Sequence, residues 1–286
     1  MLLLIIIICI LIVAAFSYYV YRESVGFKVT EYSIKSSLIK KDNICIAFLS
    51  DLHNSEYGQK NADLYSAIEK VNPDFIIFAG DMITSCMETD YDYSGTLDFI
   101  EALAKKWPIY YGMGNHEERF RRKSDNFPGK YDDLTARLKR IGAPILVDEI
   151  RVLEEFGIVI YGLDLEHEYY RKIIKRKLPD NYLNDKFGEV DKTRFSILLA
   201  HNPEHFKQYS EWGENLCLSG HVHGGIVNIP LLGGVISPQL KLFPKYDGGL
   251  FHENNSSMIL SRGIGSHTTN IRINNKAELI VINLKR

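Results

Sequence analysis

Residues 44–54 read ICIAFLSDLHN. The apolar run at residues 44–49 is followed by Ser50, Asp51 and His53. An uninterrupted apolar run of this length, bounded by polar residues, is typical of a strand that is buried on both faces. The parallel strands of an α/β sheet collect ligands at their carboxyl ends. The stretch therefore predicts a buried strand that delivers an aspartate and a histidine to one rim of a sheet.

Four further apolar runs end in the same way. They occupy residues 75–79, 109–111, 195–200 and 216–218, and they precede Gly80-Asp81, Gly114-Asn115-His116-Glu117, His201 and Gly220-His221-Val222-His223. Helical periodicity at residues 62–71 and 97–106 indicates that strands alternate with helices in a βαβ-type core. Residues 145–147, 150–153 and 158–161 are predicted as strands of a second sheet. The strands with polar ends would gather these residues at one rim: Asp51, His53, Asp81, Asn115, His201, His221 and His223.

The side chains in this set indicate a particular class of metal. Carboxylate, amide oxygen and imidazole suit Mn, Fe or Zn, and no cysteine takes part. Seven ligands are too many for one ion of ordinary coordination number, but they suit two ions that share a carboxylate. Two ions ~3.5–4 Å apart stabilise the attacking and leaving oxygens of a displacement at phosphorus and lower the pKa of a bound water toward ~7. We therefore predict a binuclear centre for phosphoryl chemistry, with Mn as the first choice of ion.

In their order and rough spacing, the residues D-x-H, G-D, G-N-H-E, H and G-H-x-H resemble the calcineurin-like metallophosphoesterase superfamily from residue 44 to the C-terminus. The resemblance implies an α/β fold, a four-layer α/β/β/α sandwich of two mixed sheets. It also implies ligand roles, residue by residue. One ion would be held by Asp51, His53 and His223. The other would be held by Asn115, His201 and His221, with Asp81 as the bridge.

The same resemblance implies two catalytic side chains. His116 matches the family's non-ligand histidine, which is expected to stabilise the transition state or to protonate the leaving oxygen. Asn115 is expected to offset charge on the phosphoryl oxygens as well as to bind an ion. The nearby Arg119, Arg121 and Arg122 are either phosphate-binding residues or part of a solvated helix face.

The C-terminal part of the chain is similar to a membrane-associated branch of this superfamily. The similarity is carried by GHVHGG at residues 220–225, SRGIGS at 261–266 and AELIVINL at 277–284. That branch is similar to the enzymes that cleave UDP-2,3-diacylglucosamine. It implies a phosphodiester or pyrophosphate of a lipid-linked or nucleotide-lipid substrate. Many members carry Gln after His-Gly-Gly, where this chain has Ile226, so a polar contact near the site is expected to be missing.

The N-terminal segment, residues 1–21, has no charged side chain and reads MLLLIIIICILIVAAFSYYVY. A helix needs about 20 apolar residues to span a bilayer, and the tyrosines at the end resemble the aromatic belts of membrane interfaces. We predict one transmembrane helix at 1–21, a linker and first strand at 22–42, and the phosphoesterase domain at 43–286. A cleaved signal peptide, which usually has basic residues before its apolar run, and a buried core helix are the alternatives.

The charges around this segment favour one side of the membrane. Basic residues follow the apolar run and none precedes it: Arg22, Lys28, Lys35, Lys40 and Lys41. The positive-inside rule then favours a single-pass protein of the cell membrane with a cytoplasmic domain. Two other segments have open interpretations. Residues 165–191, which are basic and aromatic, lie against an anionic bilayer or form a surface helix and loop. The apolar loop at 230–245 faces a partner or lipid, or packs on the core.

Composition narrows the remaining possibilities. The overall net charge of −2 does not favour binding to nucleic acid, which is itself negatively charged. The four cysteines show neither a Cys-x-x-Cys motif nor a disulfide framework. Three hypotheses remain: a membrane-anchored phosphoesterase with a lipid-linked substrate, a general phosphatase or nucleotide phosphodiesterase with soluble substrates, and a non-catalytic membrane scaffold. The oligomeric state stays open.

Overall fold

The computed structural model describes residues 1–86, 92–171, 176–225, 227–229, 233–236, 244–266 and 271–286. Within these ranges, two six-stranded sheets face each other and each is covered by helices on its outer side. The helices are α1 Leu2–Ser24, α2 Ala62–Val71, α3 Ser94–Ala104, α4 Asn115–Arg122, α5 Lys130–Arg140, α6 Tyr182–Phe187 and α7 Phe206–Trp212. Short 3₁₀ turns occupy Gln59–Asn61, His167–Tyr170 and Pro203–His205.

The first sheet, sheet A, contains the strands that end in the predicted aspartates. Its members are β1 Phe27–Lys35, β2 Ile44–Leu49, β3 Phe75–Phe78, β4 Ile109–Gly112, β5 Ile145–Leu146 and β14 Ala277–Lys285. They lie in the order β1-β14-β2-β3-β4-β5. Strands β2 to β5 are parallel to one another, β14 is antiparallel to β2, and β1 is parallel to β14.

The second sheet, sheet B, contains the strands that end in the predicted histidines. Its members are β6 Glu149–Leu153, β7 Ile158–Gly162, β8 Phe195–Leu199, β9 Leu216–Ser219, β12 Gly249–Glu253 and β13 Ser256–Leu260. They lie in the order β12-β13-β9-β8-β7-β6. A separate antiparallel hairpin pairs β10 Val227–Ile229 with β11 Gly233–Ile236.

Alternation along the strands divides the buried residues into layers. In β2, Ile46 and Phe48 enter the core between the two sheets, whereas Ala47 and Leu49 pack in the cluster that includes the residues of α2 and α3. On the outer face of sheet B, Tyr161 packs in the cluster that includes Phe206 of α7. Because successive side chains of a strand point to opposite faces, both sheets are covered on two sides. The four-layer α/β/β/α sandwich is confirmed.

One strand lies in a different sheet from the one predicted. Residues 145–147 were expected in the second sheet, but β5 pairs parallel with β4 in sheet A, with Tyr111 opposite Ile145. The crossover through α4 and α5 carries the chain back to the edge of sheet A, as βαβ connections do. A two-residue strand has too little periodicity to identify its sheet, so this prediction was wrong.

Helix α1 precedes the sandwich and has no buried residues in the structure. It has 23 residues and a mean hydropathy of 2.9, so by length and composition it is able to cross a membrane, a test that signal sequences near an N-terminus also pass. Its last turns contact the loop before β14. The hydroxyl of Tyr19 donates to Oδ1 of Asn274, and Oγ of Ser24 accepts a hydrogen bond from the backbone N–H of Arg272 across 3.1 Å.

Candidate metal centre

The carboxyl ends of strands from both sheets meet at one end of the sandwich, which we call the metal rim. Backbone hydrogen bonds join the segments that follow these strands. The N–H of Asp51 donates to the carbonyl of Gly80 across 3.0 Å, and the N–H of Gly220 donates to the carbonyl of His201 across the same distance. The N–H of His221 also donates to the carboxylate of Asp51 across 3.1 Å. The metal rim therefore places the predicted aspartates of sheet A beside the predicted histidines of sheet B.

The first cluster at the metal rim contains Asp51, His53 and His223, whose ligand atoms all lie within 4.8 Å of one another. Nε2 of His223 is 3.1 Å from Nε2 of His53 and 3.3 Å from Oδ1 of Asp51. The other oxygen of Asp51, Oδ2, accepts a hydrogen bond from Oγ of Ser50 across 2.6 Å. The carboxylate is thus held so that Oδ1 faces the two imidazoles.

The second cluster contains Asp81, His201 and His221, again within 4.8 Å. Oδ2 of Asp81 is 3.0 Å from Nε2 of His201, while Nδ1 of His201 is 2.6 Å from the carbonyl of Ala79. Because a carbonyl only accepts hydrogen bonds, the proton of the neutral imidazole lies on Nδ1. The lone pair of Nε2 then faces a carboxylate oxygen, and a cation between them would stabilise this contact.

Two buried atoms test whether the residues fit metal ions. Oδ1 of Asn115 is buried and has no hydrogen-bond partner among the described residues, and Nε2 of the neutral His201 imidazole has none either. A buried polar atom without a partner is costly, and an ion is one of the few ways to satisfy it. Carboxylate, imidazole and amide oxygens are also a suitable donor set for divalent Mn, Fe or Zn. The residues present therefore fit two divalent ions.

The electrostatics of the clusters also suit cations. Burial lowers the pKa of His221 and of His223 to about 3, so both imidazoles are neutral at pH 7 and able to bind an ion. Burial acts to lower the pKa of His201 as well, but the carboxylates of Asp81 and Asp51 more than offset this and raise it to about 9. The same negative charge that favours a proton on His201 favours a divalent ion in its place.

His116 belongs to a third group, with His53 and Asp81, whose ligand atoms lie within 4.8 Å. The backbone N–H of Ser85 donates to Nδ1 of His116 across 2.9 Å. In the neutral ring the proton therefore lies on Nε2, which is 4.0 Å from Oδ2 of Asp81. A protonated Nε2 is a hydrogen-bond donor rather than a metal ligand. This geometry agrees with the non-ligand role predicted for His116, which stays a prediction.

Several of the predicted ligands have a left-handed backbone. Non-glycine residues rarely adopt positive φ, because Cβ then crowds the backbone. The φ angles are 57° for Asp51, 49° for His53, 53° for Asp81, 74° for His221 and 50° for His223. Residues held in such conformations cost of order 1–3 kcal/mol each and cluster at functional sites. Their concentration at the metal rim marks it as a functional site independently of the side-chain chemistry.

Sequence reasoning missed the structural role of Glu117, which it included only as part of a motif. The fully buried carboxylate accepts hydrogen bonds from the backbone N–H groups of Asp81 and Met82, each across 3.0 Å, and from the hydroxyl of Tyr111 across 2.6 Å. Burial and the charge of Asp81 raise the pKa of Glu117 to about 7. Glu117 thus holds the segment that carries the predicted bridging aspartate. An acidic residue on the buried face of a short helix was the available signal.

The structure bears only in part on the predictions made for the basic and aromatic segments. Arg121 pairs with Asp164 across 2.7 Å and Arg122 pairs with Glu118 across 3.0 Å, so the structure favours the non-phosphate interpretation for these two arginines. In the segment at residues 165–191, the ring of Tyr170 contacts the ring of His221, with 5.1 Å between centroids. Residues 172–175, Ile226, His267 and most of the loop at 230–245 lie outside the described residues.

Comparison with known proteins agrees with this geometry. The sequence profile of the calcineurin-like phosphoesterases matches residues 45–225. The uncharacterized metallophosphoesterase YkuE of Bacillus subtilis is 27% identical over 283 residues, covering 94% of this chain and 90% of YkuE. The phosphodiesterase YaeI of Escherichia coli is 25% identical over 280 residues, covering 95% of this chain and 93% of YaeI.

The matched region runs from the second residue of β2 to the glycines after His223. It therefore includes every predicted ligand together with the strands that position it. The family normally uses a binuclear divalent metal centre, which the clusters at the metal rim accommodate. The chain belongs to the calcineurin-like phosphoesterase family and is a metal-dependent phosphoester hydrolase.

Proposed function

We propose that the protein is a membrane-anchored phosphoesterase with two metal ions that hydrolyses a phosphodiester or pyrophosphate bond of a lipid-linked substrate. The observation that carries the chemistry is the 3.0 Å approach of Asp81 Oδ2 to His201 Nε2, beside the buried Oδ1 of Asn115. Asp51, His53 and His223 would hold one ion, and Asn115, His201 and His221 would hold the other, with Asp81 as a ligand that both share. Mn is the proposed ion, with Fe or Zn as alternatives.

The chain's own residues then have distinct tasks. Bound divalent ions supply a water of lowered pKa and offset charge on the phosphoryl group. Nε2–H of His116, whose tautomer is set by the N–H of Ser85, donates to an oxygen of the phosphoryl group or to the leaving oxygen. Glu117 keeps Asp81 in place through the backbone hydrogen bond to its N–H group. Loss of the His116 side chain would remove a proton donor, whereas loss of the Glu117 carboxylate would displace Asp81, so experiments can distinguish the two roles.

The membrane part of the proposal rests on α1. Its 23 residues match the thickness of a bilayer, and Arg22 follows the apolar stretch. We propose residues 1–21 as the anchor, 22–42 as the connection that includes β1, and 43–286 as the catalytic domain, on the cytoplasmic side of the cell membrane. An enzyme confined to a membrane meets lipid-linked substrates at high local concentration. Hydrolysis of a sugar-nucleotide lipid such as UDP-2,3-diacylglucosamine is one case of this class.

A second candidate function is a general phosphatase or nucleotide phosphodiesterase that acts on soluble substrates although α1 anchors it. A cleaved signal sequence, which passes the same test as a membrane span, would release such an enzyme from the membrane. Its turnover of soluble phosphodiesters would then be insensitive to lipid and detergent. The relative YaeI is named as a phosphodiesterase, which supports a diester substrate under either candidate.

The first experiment measures hydrolysis of bis-p-nitrophenyl phosphate by the full-length protein in detergent, loaded with Mn²⁺, beside an Asp81→Asn variant. We expect metal-dependent turnover in the parent and none in the variant, because the substituted amide cannot bridge two cations as a carboxylate does. The metal content of both proteins is measured in parallel. A parent that binds no metal would refute the proposed site.

A further inference from the structure

The connection between α1 and the sandwich enters at the metal rim. Strand β1 starts at Phe27, which lies opposite Ala277 at the start of β14. In the antiparallel pair of β14 and β2, Ile280 lies opposite Phe48. Ala277 precedes Ile280 by three positions and Asp51 follows Phe48 by three, so Phe27, Ala277 and Asp51 lie at one level of sheet A. Residues 263–265 lie between β14 and Asp51 at this level, because the carbonyl of Gly263 accepts from the N–H of Glu278 and the N–H of Gly265 donates to the carbonyl of Asp51. Three spacings of ~4.8 Å therefore put Phe27 roughly 15 Å from Asp51.

The tether between the membrane helix and this level is short. Helix α1 ends at Ser24 and β1 begins at Phe27, which leaves two residues, Val25 and Gly26, between them. Even fully extended, this connection spans only about 10 Å. The opposite end of the sandwich, where the Asn254–Asn255 turn joins β12 to β13, is separated from α1 by the length of the strands. A retained anchor therefore brings the metal rim, and not the opposite end, to the membrane.

Hydrogen bonds connect the end of α1 to the metal centre. Oγ of Ser24 accepts from the N–H of Arg272, and the guanidinium of the buried Arg272 donates to the carbonyl of Gly265 across 2.7 Å. The N–H of Gly265 in turn donates to the carbonyl of Asp51 across 2.8 Å. Three hydrogen bonds thus join the helix end to a predicted metal ligand, so the orientation of the metal rim does not depend on the short tether alone.

Exposed apolar side chains surround this connection. Val25 is 52% exposed, Ile271 is 51% exposed and Ile229 of the β10–β11 hairpin is 39% exposed. The hairpin lies beside the same loop, because the N–H of Asn228 donates to the carbonyl of Ile273 across 2.9 Å. These side chains continue the apolar surface of α1 onto the metal rim, as residues at a membrane interface do.

We infer that the metal rim is held against the lipid headgroup layer, so that the site takes its phosphate ester from the membrane in which the protein is anchored. This inference rests on the proposed function, because it requires that α1 is retained as an anchor. The partner of the apolar surface is the bilayer itself. A substrate that is dissolved in water has no need of this orientation, whereas the phosphate of an amphiphile lies at the headgroup level.

A quenching experiment tests the orientation without activity. Full-length protein, in which the incompletely buried Cys9, Cys45 and Cys86 are replaced by serine, receives a fluorophore at Ile271→Cys or, as the matched control, at Asn255→Cys. Each protein is reconstituted into phosphatidylcholine vesicles with and without a lipid that carries a nitroxide on its headgroup. We expect strong quenching at position 271 and little at position 255. Equal quenching at the two positions, or none at 271, would overturn the inference.

A linker experiment tests the consequence for catalysis. A flexible Gly/Ser linker of about 20 residues is inserted between Val25 and Gly26 in a Tyr19→Phe/Ser24→Ala background, which also removes the hydrogen bonds from α1 to Asn274 and Arg272. As a control, the same linker is inserted between Asn254 and Asn255. Substrates are a p-nitrophenyl phosphodiester of diacylglycerol in the same vesicles and soluble bis-p-nitrophenyl phosphate. The tether insertion should lower vesicle turnover about tenfold or more and leave soluble turnover unchanged, and the control should change neither.

The two substrates separate the possible failures. Vesicle turnover that is unaffected by the longer tether would refute the inference while the phosphoesterase activity stands. A parent protein that hydrolyses only the soluble substrate would refute it as well. A parent without turnover of either substrate would refute the proposed function, and the quenching result would still decide the orientation.

Discussion

The backbone N–H of His116 donates a hydrogen bond to Oδ1 of Asp81 across 2.8 Å. This contact leaves Oδ2 to face the imidazoles of the metal rim, where it lies 3.0 Å from Nε2 of His201. It is possible because Gly114, directly before α4, lets the start of the helix approach Asp81 closely. A Cβ at position 114 would lie 2.2 Å from the backbone nitrogen of Asp81 and 2.3 Å from its Oδ1.

We therefore expect Gly114→Ala to displace Asp81 and to weaken metal binding by about 10–100-fold, the usual effect of disturbing the groups that orient a ligand. The measurement is metal titration by calorimetry together with phosphodiester turnover. Gly95→Ala in α3 is the matched control, since a Cβ there meets nothing within 4 Å. That control should be neutral or stabilising by about 0.5–1 kcal/mol. Wild-type metal affinity in Gly114→Ala would contradict the role given to this glycine.

The tautomer of His116 leads to a second prediction. His116→Gln should lower turnover by about 10²–10⁴-fold, because the variant lacks the Nε2–H acid, while both ions stay bound. His53→Gln, by contrast, should lose metal. Metal content by mass spectrometry distinguishes the two variants. Loss of an ion from His116→Gln would show that His116 is a ligand in the cluster with His53 and Asp81.

Glu214 predicts a pH dependence of stability that is separate from catalysis. Burial raises the pKa of this carboxyl from 4.5 to about 8, and its Oε1 accepts a hydrogen bond from Oγ of Ser256. Between pH 4.5 and about pH 8, Glu214 therefore holds a proton in the folded chain that it has released in the unfolded chain. The free energy of unfolding should therefore fall as the pH rises from about 4.5 to about 8 and then level off.

Glu214→Gln should remove this decline, because the amide stays neutral at every pH. Thermal unfolding from pH 5 to pH 9 is the measurement, and the stability difference from the parent should be largest at the alkaline end. Each unit of the pKa shift corresponds to about 1.4 kcal/mol. Glu211→Gln, which alters an exposed residue near the end of α7, is the control. Parallel stability curves for Glu214→Gln and the parent would show that Glu214 is ionised when folded.

Arg272 gives a fourth prediction. Its guanidinium is buried and donates to the carbonyls of Arg262, Gly263, Gly265 and Asn275. Lysine has fewer donors and no planar fork, so Arg272→Lys should lower the free energy of unfolding by about 1–3 kcal/mol. Metal affinity should fall too, because the N–H of Gly265 holds the backbone of Asp51. Arg151→Lys, at a partly exposed arginine paired with Glu149, should change both quantities little. An unaffected metal affinity in Arg272→Lys would show that the loop containing Gly265 does not position Asp51 for metal binding.

Long buried strands and amphipathic helices were predictable from the sequence. The runs at residues 44–49 and 62–71 became β2 and α2 with the same bounds. An unbroken apolar run and a helical apolar repeat both reflect burial directly. The order of polar residues after the strands identified the family. The sheet of β5 was not predictable, because two residues carry no pattern. The position of Glu117 on a short helix could have indicated a buried carboxylate, but not its support for Asp81, because its partners are backbone N–H groups from another part of the chain.

The pairing of β1 with β14 has a consequence for how the protein is made. Nine residues from Phe27 to Lys35 lie beside nine from Ala277 to Lys285, a contact between segments at opposite ends of the chain. On a ribosome α1 and β1 emerge well before β14, so β1 waits without its neighbour until almost all of the intervening chain has been synthesised. Contacts of such large sequence separation form late because closing the intervening loop is entropically costly. Helix α1 and the sandwich thus become one body only late in folding, and a prematurely terminated chain would leave β1 unpaired and prone to aggregation.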